Sequence, residues 1–297
     1  MRPGSVAVVL LALVANVGGA QAAPPRPQRL IDVHLHVWEP LPAGRLFRDS
    51  LLAAFDSYHL ERAVASGDLA QVRALAALDS GRVLAGVSYG PGIPLPSPDV
   101  LRDEFRAGRI AVFGEVDAAW LGEPLDSPQL APYWELSAAA QVPVAVFTGL
   151  APAGTSTRPC CVRYRATAAR LQDVEEVIVR HPTLRMYLMQ AGWPYRAETV
   201  ALLQTYPELY AELGNVVGNP AIPREEFLDY LRALMRAGFG KRLMFGSGLS
   251  AQEWGTKVGP MIDAIQAAPF LSEDERADIF YRNAERFLRT PGRGASR

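Results

Sequence analysis

Charge of one sign, cysteine, histidine and long apolar runs are all scarce in this chain, and each scarcity excludes something. Thirty lysines and arginines stand against thirty-one aspartates and glutamates. No net field therefore exists to steer nucleic acid or an anionic membrane surface, and a nucleic-acid partner is not expected. The two cysteines, Cys160 and Cys161, give no Cys-x-x-Cys spacing and have no histidine close by, which excludes a zinc knuckle. As immediate neighbours they would close only a strained ring, so they read as a thiol pair in a loop with no chemistry assigned. Beyond the first residues no stretch is apolar enough for long enough to cross a bilayer, which needs about 20 residues. No repeat, low-complexity tract or interdomain linker is visible.

The one apolar run lies at the start. Arg2 supplies a small positive region, Val6 to Val14 are apolar, and Ala20-Gln21-Ala22 is a small-x-small cleavage pattern. Gly18, Gly19 and Gln21 interrupt the run too early for a membrane anchor. Residues 1–22 are therefore expected to be a signal peptide cleaved before Ala23. The mature protein would be exported, periplasmic or secreted, with residues 23–28 as an extended leader containing Pro24, Pro25 and Pro27 and with no stable membrane insertion.

What remains has ordinary globular composition, 49% hydrophobic and 21% charged. Its length fits one barrel or two smaller domains. Eight short β-rich runs decide between these: Leu30–His36, Arg62–Ser66, Val83–Ser88, Ala111–Val116, Val142–Phe147, Arg185–Met189, Leu209–Leu213 and Leu243–Gly246. Several are nearly continuous in Val, Ile, Leu and Phe, as parallel strands covered on both faces must be. Helical patterns alternate with them. Leu171, Val174, Val177 and Ile178 form one stripe, ending at His181-Pro182. Phe227, Leu228, Leu231, Leu234 and Met235 form another between Pro223 and Gly238. Ser272 and Glu275 open the last helix as a capping box. The pattern predicts a single (β/α)8 barrel over residues 29–290, with 291–297 as a tail. The Pro/Gly-rich stretches Tyr89–Asp99 and Leu150–Tyr164 follow strands and would be loops of the C-terminal face, where barrels build their sites.

Leu30-Ile31-Asp32-Val33-His34-Leu35-His36-Val37 alternates strictly between apolar and ionisable residues. On a regular strand Asp32, His34 and His36 share one face, and Ile31, Val33, Leu35 and Val37 the other. Three ionisable groups on a buried face are costly unless paired or bound to a metal. Two imidazoles in His-x-His suit one zinc-like ion. A hydrogen-bonded cluster without metal satisfies the same residues, and the alternation alone leaves both open.

This segment resembles the first-strand Asp-x-His-x-His motif of the amidohydrolase superfamily, in particular its amidohydrolase-related branch, which includes aminocarboxymuconate-semialdehyde decarboxylase. Further segments are similar in the same order. Phe113-Gly114-Glu115-Val116 resembles the Gly-Glu strand, and Pro143–Gly149 the Pro-Val-x-x-His-Thr-Gly strand. Leu188–Pro194 resembles Met-His-Ala-Gly-Trp-Pro, Met244–Gly248 resembles Phe-Gly-Ser-Asp, and Asn283–Leu288 the closing helix. The resemblance spans roughly residues 29–290 and implies a TIM barrel carrying a divalent metal that acts on a small molecule.

The chain departs from that pattern at three strands. The fifth-strand metal histidine falls on Phe147, the sixth-strand histidine on Gln190, and the eighth-strand aspartate on Gly248. Only four histidines exist. His59 and His181 lie at predicted helix ends, where they are not expected to be ligands. The resemblance then leaves His34, His36 and, as a third candidate, Glu115, with Asp32 behind them and Phe147, Gln190, Trp193 and Gly248 lining a pocket that Trp38 and Trp120 would also border. Asp117 and Glu123 are weak candidates for a general base. The expectation is a divergent barrel with weak or substoichiometric metal and impaired or absent turnover. The alternative is a metal-dependent hydrolase, or decarboxylase-type lyase, working through His34, His36 and Glu115. Putting back Phe147→His, Gln190→His and Gly248→Asp together should then raise metal occupancy.

Overall fold

A computed structural model of the protein describes residues 27–169 and 171–289. The expected signal peptide, all of the leader but its last residues, and the tail lie outside the described residues. Nine parallel strands form one sheet: β1 (Leu30–Val37), β2 (Leu60–Gly67), β3 (Val83–Tyr89), β4 (Val112–Val116), β5 (Val144–Phe147), β6 (Met186–Met189), β7 (Leu209–Glu212), β8 (Leu243–Met244) and β9 (Leu249–Ser250). They pair in the order β8-β7-β6-β5-β4-β3-β2-β1-β9. Of the eighth run expected from the sequence, Leu243–Gly246, only Leu243–Met244 forms a strand, and a ninth, β9, follows beyond it. β8 pairs with β7 and β9 with β1, which carries the sheet round from the last strand to the first. Between them Val33 N–H donates to Phe245 O at 3.1 Å and Gly248 N–H to His34 O at 2.7 Å. Gly246 and Gly248 let the chain step inward here, so ladder pairing lapses for four residues.

Apolar side chains fill two layers. Leu30, Leu35, Ala63, Ala65 and Phe113 belong to the large cluster between strands and helices, with Phe55, Trp134 and Trp254. Ile31, Val33, Val64, Val112, Ala145, Tyr187 and Met244 form a second cluster inside the barrel, which Ala284 and Phe287 join. The helix 224–236 starts after Pro223 and stops before Gly238, and helix 172–180 stops at His181, as their stripes predict. Ser272 and Glu275 form the expected capping box, satisfying two orphan donors of the first turn. No helix among the described residues is long and apolar enough to cross a membrane.

Candidate metal centre

Two β-bulges aim the site. Asp32 pairs with Ala63 and Leu35 with Ala65, so β1 spends one more residue than β2 over this span. The extra residue breaks the strict alternation read from the sequence. Ile31 and Val33 face the barrel interior and Leu35 and Val37 the helices, and the interior face is resumed by His34 and His36. Asp32 does not share their face. Its carboxylate lies on the helix side, accepting Trp254 Nε1–H at 2.7 Å, Ser247 N–H at 2.9 Å and His34 N–H at 3.0 Å. Burial pushes its pKa up, and these donors pull it back. Asp32 thus ties the bulge of β1 to the β8–β9 break.

The second bulge is in β4. Phe113 and Val116 pair with Val87 and Tyr89 on one side and with Val144 and Val146 on the other, so β4 again holds one residue too many. Bulges re-aim side chains at site rims. Here the surplus is Gly114-Glu115, and Glu115 turns towards the histidines.

His34 Nε2 lies 2.7 Å from His36 Nε2, and each lies 3.4 Å from Glu115 Oε2. The three residues are 0%, 1% and 3% exposed. Their ligand atoms form the one such cluster of three found among the described residues. Donors of a tetrahedral ion with bonds of about 2.0–2.1 Å sit roughly 3.3 Å apart. Both histidine–carboxylate spacings meet that, and the histidine pair needs to open by about half an ångström. His34 also has the expected support. Its Nδ1 is 2.9 Å from Glu212 Oε1, which turns Nε2 inward. His36 lacks it, because its Nδ1 is buried without a hydrogen-bond partner among the described residues, while its ring packs 3.9 Å from that of the half-exposed Trp38.

The charges around these rings call for a cation. Burial lowers the pKa of His34, but Glu212 and Glu115 outweigh it and hold the imidazole well above its ordinary range. His36 is pushed well below its range by burial and by the charge on His34. Burial and the neighbouring Glu115 carboxylate raise Asp117 well above the carboxylate range, and the two carboxyl groups share a hydrogen bond. Glu115 and Glu212 thus face one positive imidazolium, with Asp117 pushed towards its neutral form beside them. A divalent cation would balance them, and the donor set of two imidazoles and one carboxylate suits it.

The sequence pattern of a whole family covers this arrangement: the amidohydrolase family profile matches residues 31–290. The chain belongs to the amidohydrolase family. No curated protein sequence matches it. Among solved structures it is similar to an uncharacterised TIM-barrel protein from Bordetella bronchiseptica, at 16% identity and a TM-score of 0.66, over 88% of this chain and 98% of that one. It is also similar to a probable 2-pyrone-4,6-dicarboxylic acid hydrolase from Acinetobacter baumannii, at 13% identity and a TM-score of 0.60, over 87% and 98%. A third likeness, to an IDCase from Metarhizium anisopliae in its apo form, has 16% identity and a TM-score of 0.56, over 88% and 97%. At such identities the likeness shows the fold.

Within this member of the family the departures have a structural form. Phe147 is buried with Trp120, Tyr164 and Cys161, an apolar patch in place of a donor. Gln190 sends its backbone N–H to Glu212 Oε1 at 2.6 Å, and its side chain lies across Gly149, where a Cβ would collide with it. Gly248 has φ +65°, and a Cβ there would lie 2.6–2.8 Å from the amide of Asn215. Asn215 thus occupies the space the eighth-strand carboxylate would need. Trp193 stands at the rim, its Nε1–H donating to Glu226 at 3.1 Å. His59 is held by Pro27 O at 3.1 Å at the opposite end of β2, and His181 caps a helix, so neither joins the cluster. Glu123 accepts the Tyr89 hydroxyl at 2.8 Å, which leaves Asp117 as the nearby carboxyl. A cavity of about 600 Å³ lined by Arg29, Arg62, Leu84 and Ala111 opens at the strand starts, away from this chemistry.

Glu212 and Asn215 were missed by sequence reasoning. A charged residue inside the apolar run Leu209–Leu213 was the available signal for the first. The Asn215 contact also revises the restoration experiment. Gly248→Asp alone is expected to destabilise the protein by about 1–3 kcal/mol, from a left-handed backbone and a displaced amide. Gly248→Asp with Asn215→Gly should recover part of that loss in urea unfolding. Equal stability of Gly248→Asp and wild type would show that the amide moves freely.

Proposed function

We propose that this amidohydrolase holds one divalent cation on His34, His36 and Glu115 and hydrolyses a C–O or C–N bond of a small molecule. The observation that carries this reading is the convergence of three buried ligand atoms, with both histidine–carboxylate spacings at 3.4 Å and the histidine pair at 2.7 Å. The third ligand, left as a candidate by the sequence, is what the bulge in β4 turns inward, and it raises the expected metal occupancy above substoichiometric. A bound zinc-like ion makes water nucleophilic near neutral pH and polarises a carbonyl oxygen. The chain's own contribution is positional. Glu212 fixes His34 with Nε2 inward, Asp32 holds the β1 bulge, and Asp117, bonded to Glu115, is the nearest further carboxyl able to hold a proton. A decarboxylase-type reaction, as in the aminocarboxymuconate-semialdehyde decarboxylase branch, would use the same ligands.

A second reading is favoured by one observation. Asn215 fills the place of the eighth-strand carboxylate, so the barrel would bind a small molecule without turning it over. Elemental analysis of protein purified without a His tag separates these readings when joined to a panel of esters, amides, lactones and carboxylates. About one ion per chain is expected in wild type and almost none in His34→Ala/His36→Ala. Turnover present in wild type and absent in that control supports the hydrolase. Metal without turnover supports the binding barrel, and so does wild type as metal-poor as the control, which removes the metal-dependent hydrolase.

Export belongs to the same proposal, on the strength of the N-terminal pattern read from the sequence. N-terminal sequencing should give Ala23, and recovery of Met1 on cytoplasmic protein would refute it.

A further inference from the structure

The loop after β5 packs against the segment that follows Glu115 and Asp117, and it carries a bond that adjacency in the chain did not predict. Cys160 and Cys161 are joined as a disulfide in the short turn Pro159–Cys161, contrary to the reading as a thiol pair. A sharp turn is what brings neighbouring sulfurs together. Cys161 is 2% exposed and packs with Phe147, Tyr164, Trp120 and Ala119, a cluster separate from both core layers. Cys160 is exposed. Trp120 links the two strand ends: its ring lies 5.8 Å from Phe147 and 5.6 Å from Tyr164, and it follows Asp117 by three residues. Tyr164 Oη accepts Ala151 N–H at 2.9 Å, closing the loop on itself. Gly122, on the loop after β4, fits so tightly that a Cβ would sit 2.6 Å from Arg163 O. Glu115, on the strand that leads to Trp120, and both histidines are almost completely buried.

We propose that the loop 148–165 is a cover over the centre and that the Cys160–Cys161 disulfide is its redox latch. The outer sulfur is the accessible one. A thiolate of a dithiol reductant attacks Cys160 Sγ, the S–S bond breaks, and Cys161 leaves as a thiolate that takes a proton. The second thiol of the reductant then displaces Cys160, which is protonated in turn. The protein gains two electrons and two protons, and the reductant becomes a disulfide. The bond joins neighbours, so it stiffens the turn rather than tethering the loop to the barrel. Opening the ring frees the turn, Cys161 can leave the aromatic cluster, and local opening becomes cheaper.

The cover is a claim about the loop, whereas its effect on metal uptake rests on the proposed cation site. The test therefore has two readouts, on full-length protein kept oxidised or treated with a dithiol that is removed before measurement. Hydrogen exchange of residues 148–165 should rise about tenfold on reduction, with the barrel strands unchanged. Zinc association should accelerate by a similar factor, about tenfold. Cys160→Ser/Cys161→Ser should behave as the reduced form and ignore the reductant. Faster exchange without zinc uptake in either state supports the latch and removes only the metal reading. Equal exchange in oxidised and reduced wild type overturns the latch, as does loosening of the whole barrel together with the loop.

Discussion

Glu212→Ala is expected to lower unfolding free energy by about 3–5 kcal/mol and metal affinity by about 10–100-fold. The carboxylate is fully buried and accepts from three directions: His34 Nδ1 at 2.9 Å and Gln190 N–H at 2.6 Å on Oε1, and Gly214 N–H on Oε2. Alanine leaves all three donors in a dry interior, each worth about 1–3 kcal/mol when unsatisfied. It also lets the His34 ring rotate, so Nε2 no longer faces His36 and Glu115. Glu212→Gln keeps the shape but turns an amide N–H₂ towards donors, and should lie between wild type and alanine in both respects. Urea unfolding reads the first effect and competitive zinc titration the second. Unchanged zinc affinity in a folded Glu212→Ala protein would show that His34 needs no orienting partner.

Gly114→Ala should be at least as damaging, by about 3 kcal/mol or more. Gly114 has φ +153°, a backbone conformation that side chains rarely adopt. A Cβ there would meet Ala145 Cβ at 2.5 Å and Ala145 O at 2.6 Å. Ala145 O belongs to the backbone of β5, so the contact cannot be relieved by a rotamer change. The bulge must then straighten or β4 must part from β5. Either outcome turns Glu115 away and removes the third ligand. Ala145→Gly added to Gly114→Ala relieves only the side-chain contact, so recovery should be partial. Thermal melting with zinc titration checks this, and a Gly114→Ala protein with wild-type melting and zinc affinity would refute the role given to the bulge.

Both predictions rest on features that local sequence could not supply. Hydrophobic periodicity is a property of neighbours, and it located all eight β-rich runs, the helix stripes and the Ser272–Glu275 capping box. The motif order identified the family, and the three departures at Phe147, Gln190 and Gly248 were visible as letters. Their consequences were not. That Asn215 stands where the eighth-strand carboxylate would project depends on how the segment after β7 meets the break between β8 and β9, and no spacing within either segment encodes it.

The sequence by itself determined the barrel, its closing helix and the residue types at the centre, because strand and helix patterns arise from contacts with water and core that repeat every two or every 3.6 residues. Tertiary structure alone decided which of those residues face one another. A bulge is a mismatch between two strands, so the alternation of β1 read without β2 placed Asp32 beside His34 when it belongs behind it. The His34–Glu212 contact joins residues 178 positions apart, and only the closed sheet brings them within 2.9 Å. The Cys160–Cys161 bond was likewise decided by the turn that folds back over the rim, since adjacency in the chain is compatible with either redox state.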